Sequence, residues 1–340
     1  MAPAKKSTWS NIKPFIELMR VSNPVGSILV YFPHLIGSLF AACCASSSNE
    51  VSITKIISTN SILLLGSALL HATGCSWNDI VDADLDRLVA RTKNRPIPRG
   101  AISMQQAYLF TAAETVTWLC MLWMLTPRLV VWGIPMIILV GVYPYAKRFT
   151  NFPSVFLGCV LAYGLFLGCV SVDVDPLEIL LRGSPSTLVA ATCLFMTYTL
   201  ICTSVDMIYA HQDLPDDLKA GIRSMAVTFQ GYPKPVLFTF AALQLGLLVY
   251  AGRLMEFSDI YMSMAGAGVT LANVWMIWSV DLDSSQECWW WFQYGSMMMG
   301  SILSLAMLAE YLRGADAPAT IAGLQLHAGY TYLQTLSPRK

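Results

Sequence analysis

The sequence predicts an all-α membrane protein, a bundle of about nine transmembrane helices. Three observations predict it. Apolar residues fill 55% of the 340 positions and charged residues 12%, about half the charged share of soluble domains. Nine runs approach the ~20 mostly apolar residues that a spanning helix needs. The basic residues are also divided unequally between alternate loops, as topology requires of a multi-pass chain.

The runs fall near 25–44, 58–77, 105–126, 129–146, 153–171, 187–209, 234–252, 259–279 and 290–311. The first follows a short mixed arm, residues 1–24. The second ends in Asn78-Asp79-Ile80-Val81-Asp82-Ala83-Asp84-Leu85-Asp86, the fourth in Tyr143-Pro144-Tyr145-Ala146-Lys147-Arg148, and the sixth in an acidic stretch from Asp206 to Asp217. The sixth and ninth are less clear-cut than the first, so eight or ten spans would fit the same reading. Residues 25–312 make one transmembrane domain and 313–340 a polar tail; Ser46 to Asn49 form an ordinary polar loop.

An N-terminus in the cytosol places 14 of the 21 basic residues on that side. They are Lys5, Lys6, Lys13 and Arg20 in the arm, then Arg87, Arg91, Lys93, Arg95 and Arg99, then Lys147 and Arg148, then Lys219, Arg223 and Lys234. Lys55, Arg128, Arg182, Arg253, Arg313, Arg339 and Lys340 remain opposite, which satisfies the positive-inside rule. The loop carrying Asp281, Asp283 and Glu287 has no Lys or Arg and adds no support. The arm has neither a cleavable signal pattern nor a long Arg-rich transit segment. Net charge is zero, so nothing points to nucleic acid. The nine cysteines make no CxxC pair or Cys/His ligand spacing and read as small buried hydrophobes.

Eight of the 21 Asp and Glu residues lie in the two acidic stretches, and both stretches fall on the cytosolic side. Carboxylates beside a bilayer are costly unless paired, solvated or metal-bound. Asn78, Asp82 and Asp86 are spaced i, i+4, i+8 and form one stripe on a helix, with Asp79 on its flank. In the second cluster Asp206 and Asp213 align, and Pro215 breaks the helix into an end and a new first turn. Facing carboxylates suit Mg²⁺ that keeps positions for water and substrate phosphate. The flanking Arg and Lys suit anionic oxygens, so metal and cations together suit a diphosphate. Taken singly, a loop cation or an Asp at a helix end is ordinary; the coincidence of both clusters with the cations carries the reading.

These residues resemble the UbiA superfamily of intramembrane aromatic prenyltransferases. Asn78-Asp79-x-x-Asp82-x-x-x-Asp86 is similar to its first signature, and Arg91-Thr92-x-x-Arg95-Pro96-Ile97-Pro98-x-Gly100 to the segment that follows. Tyr143-Pro144-x-x-Lys147-Arg148-x-Thr150 and Tyr209-Ala210-x-Gln212-Asp213-x-x-Asp216-Asp217-x-x-x-Gly221-x-x-Ser224 resemble two more, and Leu18-Met19-Arg20 with Asn23-Pro24-x-Gly26 the entry to the first helix. The resemblance spans residues 14 to 231; the final third adds only helices.

The resemblance implies a UbiA-type helical bundle around a cavity open to the membrane, with Mg²⁺ and an isoprenoid diphosphate held between the two motifs. It makes Asn78, Asp82, Asp213 and Asp217 metal candidates. Asp86 is counted with them, and Asp79 and Asp86 also occupy positions that orient ligands. Arg20, Asn78, Arg91, Lys147 and Lys219 are the diphosphate candidates. Departure of an allylic diphosphate is eased by neutralising its charge. An electron-rich aromatic carbon then attacks, in a cavity that excludes water. Asp206, deeper in its helix, is the candidate to take the ring proton or hold an acceptor hydroxyl, and Asp82 and Asp213 complete the catalytic set.

The stretch Tyr31-Phe32-Pro33-His34-Leu35 and the short arm look most like the fungal meroterpenoid members of the family. That implies a farnesyl donor, a phenolic acceptor of orsellinic type, and an endoplasmic reticulum or Golgi membrane. His34 reads as a core histidine before an acceptor ligand, and Tyr31, Trp77, Tyr163 and Phe166 as packing before an aromatic pocket. Within the family, a mitochondrial 4-hydroxybenzoate polyprenyltransferase and a membrane terpene cyclase remain open. A CDP-alcohol phosphotransferase fails because Asp79 is followed by Ile80-Val81 and not by glycine. A cation-coupled transporter would place its site near the midplane between internal repeats; these clusters sit at helix ends, and no repeat is evident.

Overall fold

The computed structural model describes residues 8–45, 51–89, 91–176 and 184–316. Lys5, Lys6, Ser46 to Asn49, Arg182 and the tail beyond Asp316, Arg339 and Lys340 included, lie outside the described residues. Every regular element among the described residues is a helix, with no strand among them. A bilayer imposes this, because a helix satisfies its backbone N–H and C=O groups within one segment.

An entry helix, α1 (Thr8–Leu18), precedes the spans. Among the described residues nine helices are long and apolar enough to cross a membrane: α2 (Val25–Cys44), α3 (Ile53–Val81), α4 (Met104–Leu125), α5 (Pro127–Phe149), α6 (Pro153–Ser171), α7 (Pro185–Ala220), α8 (Pro233–Leu254), α9 (Asp259–Ser279) and α10 (Ser285–Gly314). The starts carry local signals. The Ser52 hydroxyl accepts from the Lys55 N–H at α3, and Ser103 and Gln106 cap each other's backbone at α4. Proline occupies the first turn of α5, α6, α7 and α8, where its missing N–H costs nothing.

α3, α5, α7, α8 and α10 are longer than their apolar runs, and in α3 and α7 the extension bears on the acidic motifs. α3 begins five residues before position 58 and continues four beyond 77, carrying the first acidic motif into the helix end. α7 is regular to Ala210, tightens into a 3₁₀ turn at His211–Asp213, and resumes at Leu214–Ala220 with Pro215 in its first turn. Gly221 then ends it with φ +66°, a conformation that favours glycine.

α2 is the central post, packed against α3, α6 and α10, while α7 packs against α6, α8 and α10. The α2–α6 contact is the closest. A Cβ on Gly37 would lie 2.0 Å from the Leu165 carbonyl oxygen, and one on Gly168 2.1 Å from the His34 carbonyl oxygen. Gly164 and Gly168, four apart, form the small-residue face by which membrane helices bring backbones together.

His34 is a core histidine: it is buried, and its Nδ1 bonds the Val30 carbonyl of its own helix at 2.9 Å. The four aromatics read as packing do pack. Tyr31 reaches Asn60, Trp77 Nε1 donates to the Gly141 carbonyl at 2.9 Å, Tyr163 donates to the Trp132 carbonyl, and Phe166 stacks on Phe195.

Gly168→Leu should force α2 and α6 apart. Overpacking of a tight contact costs about 1–3 kcal/mol, so the purified variant should show a lowered unfolding midpoint in detergent; an unchanged midpoint would refute the backbone contact.

Candidate active site

The site begins with a charge problem at the end of α3. Asp79 is 2% exposed, and a lone carboxylate there would carry a large desolvation cost. Two cations meet it. Arg20 Nη2 donates to Asp79 Oδ1 at 2.8 Å and Arg95 Nη1 donates to the same oxygen at 2.9 Å. Arg95 Nη1 also donates to Asp86 Oδ2 at 2.7 Å. Arg20 itself sits at φ +54°, a sparsely populated backbone conformation for a side-chain-bearing residue. The entry arm, the α3 end and the following loop are thus tied at one point.

The helix does not run through the first motif as one stripe. α3 stops at Val81, Asp82 leaves helical geometry at φ −95° and ψ 8°, and Ala83–Asp86 forms a separate turn. Asp86 shares Arg95 with Asp79 while its backbone N–H bonds the Asp82 carbonyl at 2.8 Å.

Above this anchor lies a cavity of about 280 Å³. Arg20, Asn78, Arg91, Arg95, Lys147 and Asp206 line its polar end. Leu29, Val30, Leu70, Met136, Val140 and Val160 line its apolar length. The loop after the first acidic cluster reaches the second: Arg91 Nε and Nη2 donate to Asp213 Oδ1 and Oδ2 at 3.1 and 2.7 Å. Lys147 stands between the clusters, within the electrostatic reach of Asp82, Asp206 and Asp217. Burial pushes the Asp82 carboxyl above the usual carboxylate range, Lys147 opposes that rise and Asp86 adds to it.

Of the residues singled out in the sequence, Arg20, Asn78, Arg91, Lys147 and Asp206 reach the cavity wall. Asp213 flanks it through Arg91, and Asp82 and Asp217 through Lys147. Asp79 and Asp86 are held behind it by arginines. Lys219 does not arrive. Its side chain is 80% exposed, pairs with Asp216 one turn back on its own helix, and borders no part of the cavity. Of the five diphosphate candidates, Arg20, Asn78, Arg91 and Lys147 border the cavity and Lys219 does not.

A family model described as the UbiA prenyltransferase family matches residues 30–302. The chain belongs to this family. It is 33% identical to a UbiA prenyltransferase, claS, of Ampulloclitocybe clavipes over 91% of this chain and 94% of that one. It is 32% identical to a mitochondrial 4-hydroxybenzoate polyprenyltransferase of Schizosaccharomyces pombe, over 92% and 85%. A DMOA farnesyltransferase, nvfB, of Aspergillus novofumigatus is 33% identical over 71% and 73%. A UbiA homolog from Archaeoglobus fulgidus, solved bound to GPP and Mg²⁺, has the same fold: TM-score 0.61 over 88% of this chain and 99% of that one, at 17% identity. The protein is thus a multi-pass membrane prenyltransferase of the UbiA family.

The donor chemistry of this UbiA site fits a hard divalent cation. Asn78 brings an amide oxygen and Asp82, Asp213 and Asp217 bring carboxylate oxygens, with no thiolate or imidazole in the set. Among the described residues no three His, Cys, Asp or Glu side chains are already gathered around one metal-sized position. Arg91 holds Asp213 instead, so a metal and Arg91 would compete for the same two oxygens.

Several wall residues carried no expectation from sequence. Arg95 stood inside a matched motif without a role, although a buried acid at the α3 end demanded a second cation. His71, held by Ser27 Oγ and Cys75 Sγ, also borders the cavity. Trp289 and Phe292 come from α10, in the third of the chain read as helices alone.

Arg95→Ala should leave Asp79 with Arg20 alone and strip Asp86 of its guanidinium. Breaking a buried ion pair costs about 3–5 kcal/mol, so the unfolding midpoint in detergent should fall sharply, with Arg95→Lys recovering part of it. A variant as stable as wild type would refute the anchor.

Proposed function

We propose that this protein transfers a farnesyl group from its diphosphate to an aromatic carbon of a phenolic polyketide, such as an orsellinic-type acid, in fungal meroterpenoid biosynthesis. The observation that carries the proposal is the division of one cavity. Its cationic end suits a diphosphate, and its apolar length suits an isoprenoid tail. The farnesyltransferase named for the Aspergillus relative supports the choice of donor.

Mg²⁺ bound by Asn78, Asp82, Asp213 and Asp217 would neutralise charge on the departing diphosphate. Arg20 and Lys147 add fixed positive charge at the polar end, where it strengthens as the C1–O bond breaks and its electron pair leaves with the diphosphate. The apolar wall keeps water from the allylic carbon. The ring carbon then bonds C1, and the carboxylate of Asp206, on the cavity wall, takes the ring proton. No covalent link to the protein is needed, and Cys75 and Cys202 on the wall have no place in the scheme.

A second reading, prenylation of 4-hydroxybenzoate in mitochondria, is supported by the Schizosaccharomyces pombe relative at 32% identity. We favour the endoplasmic reticulum or Golgi membrane from the likeness to the fungal prenyltransferases, and the basic loops that share the polar end place it toward the cytosol.

Microsomes supplied with farnesyl diphosphate, Mg²⁺ and a panel of phenolic acids should yield a farnesylated orsellinic-type product, and EDTA should abolish it reversibly. Preference for 4-hydroxybenzoate selects the second reading, and a hydrocarbon formed from the donor alone would mean a cyclase. Asp82→Ala and Asp213→Ala should each lower turnover by about a hundredfold or more in protein that still inserts into membranes. Wild-type turnover in either would remove that residue from the site.

A further inference from the structure

The cavity has a third kind of wall. α10 contributes only two side chains to it, Trp289 and Phe292, both aromatic, and Tyr209 of α7 meets them. Tyr209 lies 4.7 Å from Phe292 and 5.7 Å from Trp289 between ring centroids, and Trp289 and Phe292 are nearly parallel at 24°. Trp289 and Phe292, three apart, share one face of α10. Trp289 is 37% exposed, and unlike Trp290, exposed to 44% at the next position, it borders the cavity. We infer that Tyr209, Trp289 and Phe292 form the face on which the aromatic acceptor stacks, and that the acceptor enters over Trp289.

The position fits the reaction. The tail occupies the aliphatic length built from α2, α3, α5 and α6, which leaves the aromatic side of α7 and α10 to the second substrate. The donor's reacting carbon adjoins its diphosphate, and therefore lies at the polar end, where these rings stand. Asp206 is one turn before Tyr209 on the same helix face, about 5 Å along the axis. A ring resting on Tyr209 and Trp289 is thus held beside both the allylic carbon and the carboxylate that receives its proton. Aromatic faces attract such a ring in offset or edge-on geometry without dictating its substituents. The Arg91 guanidinium lies over the Tyr209 ring, 5.8 Å from its centroid, and so gives an acidic acceptor a cation beside the Trp289 and Phe292 rings.

The inference rests on the proposed aromatic transfer, and its test separates the two. Wild-type enzyme, Trp289→Ala, Trp289→Phe and Phe292→Leu are assayed with farnesyl diphosphate and orsellinic acid, each substrate varied in turn. Trp289→Ala should raise the acceptor KM about five- to tenfold, leave the donor KM within about twofold, and be rescued by Trp289→Phe. Phe292→Leu, which preserves apolar volume, should raise the acceptor KM in the same direction. An unchanged acceptor KM in both variants overturns the inference, as does an equal rise for donor and acceptor. A fall in kcat at constant acceptor KM also overturns it, because the rings would then serve the departing allyl cation. Wild-type enzyme that consumes donor but alkylates no phenolic acid removes the proposed function itself, and with it the acceptor face.

Discussion

Asp79 is a buried carboxylate at the end of a membrane-spanning helix, and much of the active end follows from what it needs. A charge in that position demands cations that reach it without water. Arg20 comes from the entry arm and Arg95 from the loop after α3, both to one oxygen. Satisfying Asp79 therefore folds three separate stretches of chain onto one point. Arg95 extends the arrangement to Asp86, and Arg20 is left with one edge on the cavity. The same cations that make the fold affordable also make the cavity mouth positive.

That positive mouth sits on an apolar slot, and the two belong to different helices. The acids and cations gather where α3, α5 and α7 end, while the aliphatic surface comes from their interior turns and from α2 and α6. Charge and hydrocarbon meet within one cavity of about 280 Å³. A substrate with an anionic head and an isoprenoid tail spans that boundary as the protein does. Arg91 stands at the polar end, paired with Asp213 and lying over Tyr209.

Helices were the most legible part of the chain, because a bilayer accepts few other backbones and the apolar runs are long. Pro215 announced the break in the second motif, and the structure places the 3₁₀ turn and new helix there. The limits of α3 were not legible, since its last turn is polar and hydropathy stops where chemistry begins. Nor did spacing reveal that Asp82 departs from the helix and sends Asp86 to Arg95. Lys219 followed its motif into the expectation, and its side chain lies in solvent beside Asp216 on the same short helix. Trp289 and Phe292 were hidden differently. In a run of four consecutive aromatics nothing local marks which faces inward; only the packing of α10 against α2 and α7 decides it.

Gly37 lies against the Leu165 backbone and Gly168 against the His34 backbone, so at these two turns the separation of α2 and α6 is set by backbone against backbone. The same two helices carry Leu29, Val30, Leu157 and Val160 to the cavity wall. Frame and filling are thereby independent. A lineage can exchange the wall residues for larger or smaller ones, shortening or lengthening the slot, without disturbing the distance between the posts. The glycine contact confers a freedom to drift in substrate length that a side-chain-filled interface would resist, since there every new occupant would shift the helices as well as the slot.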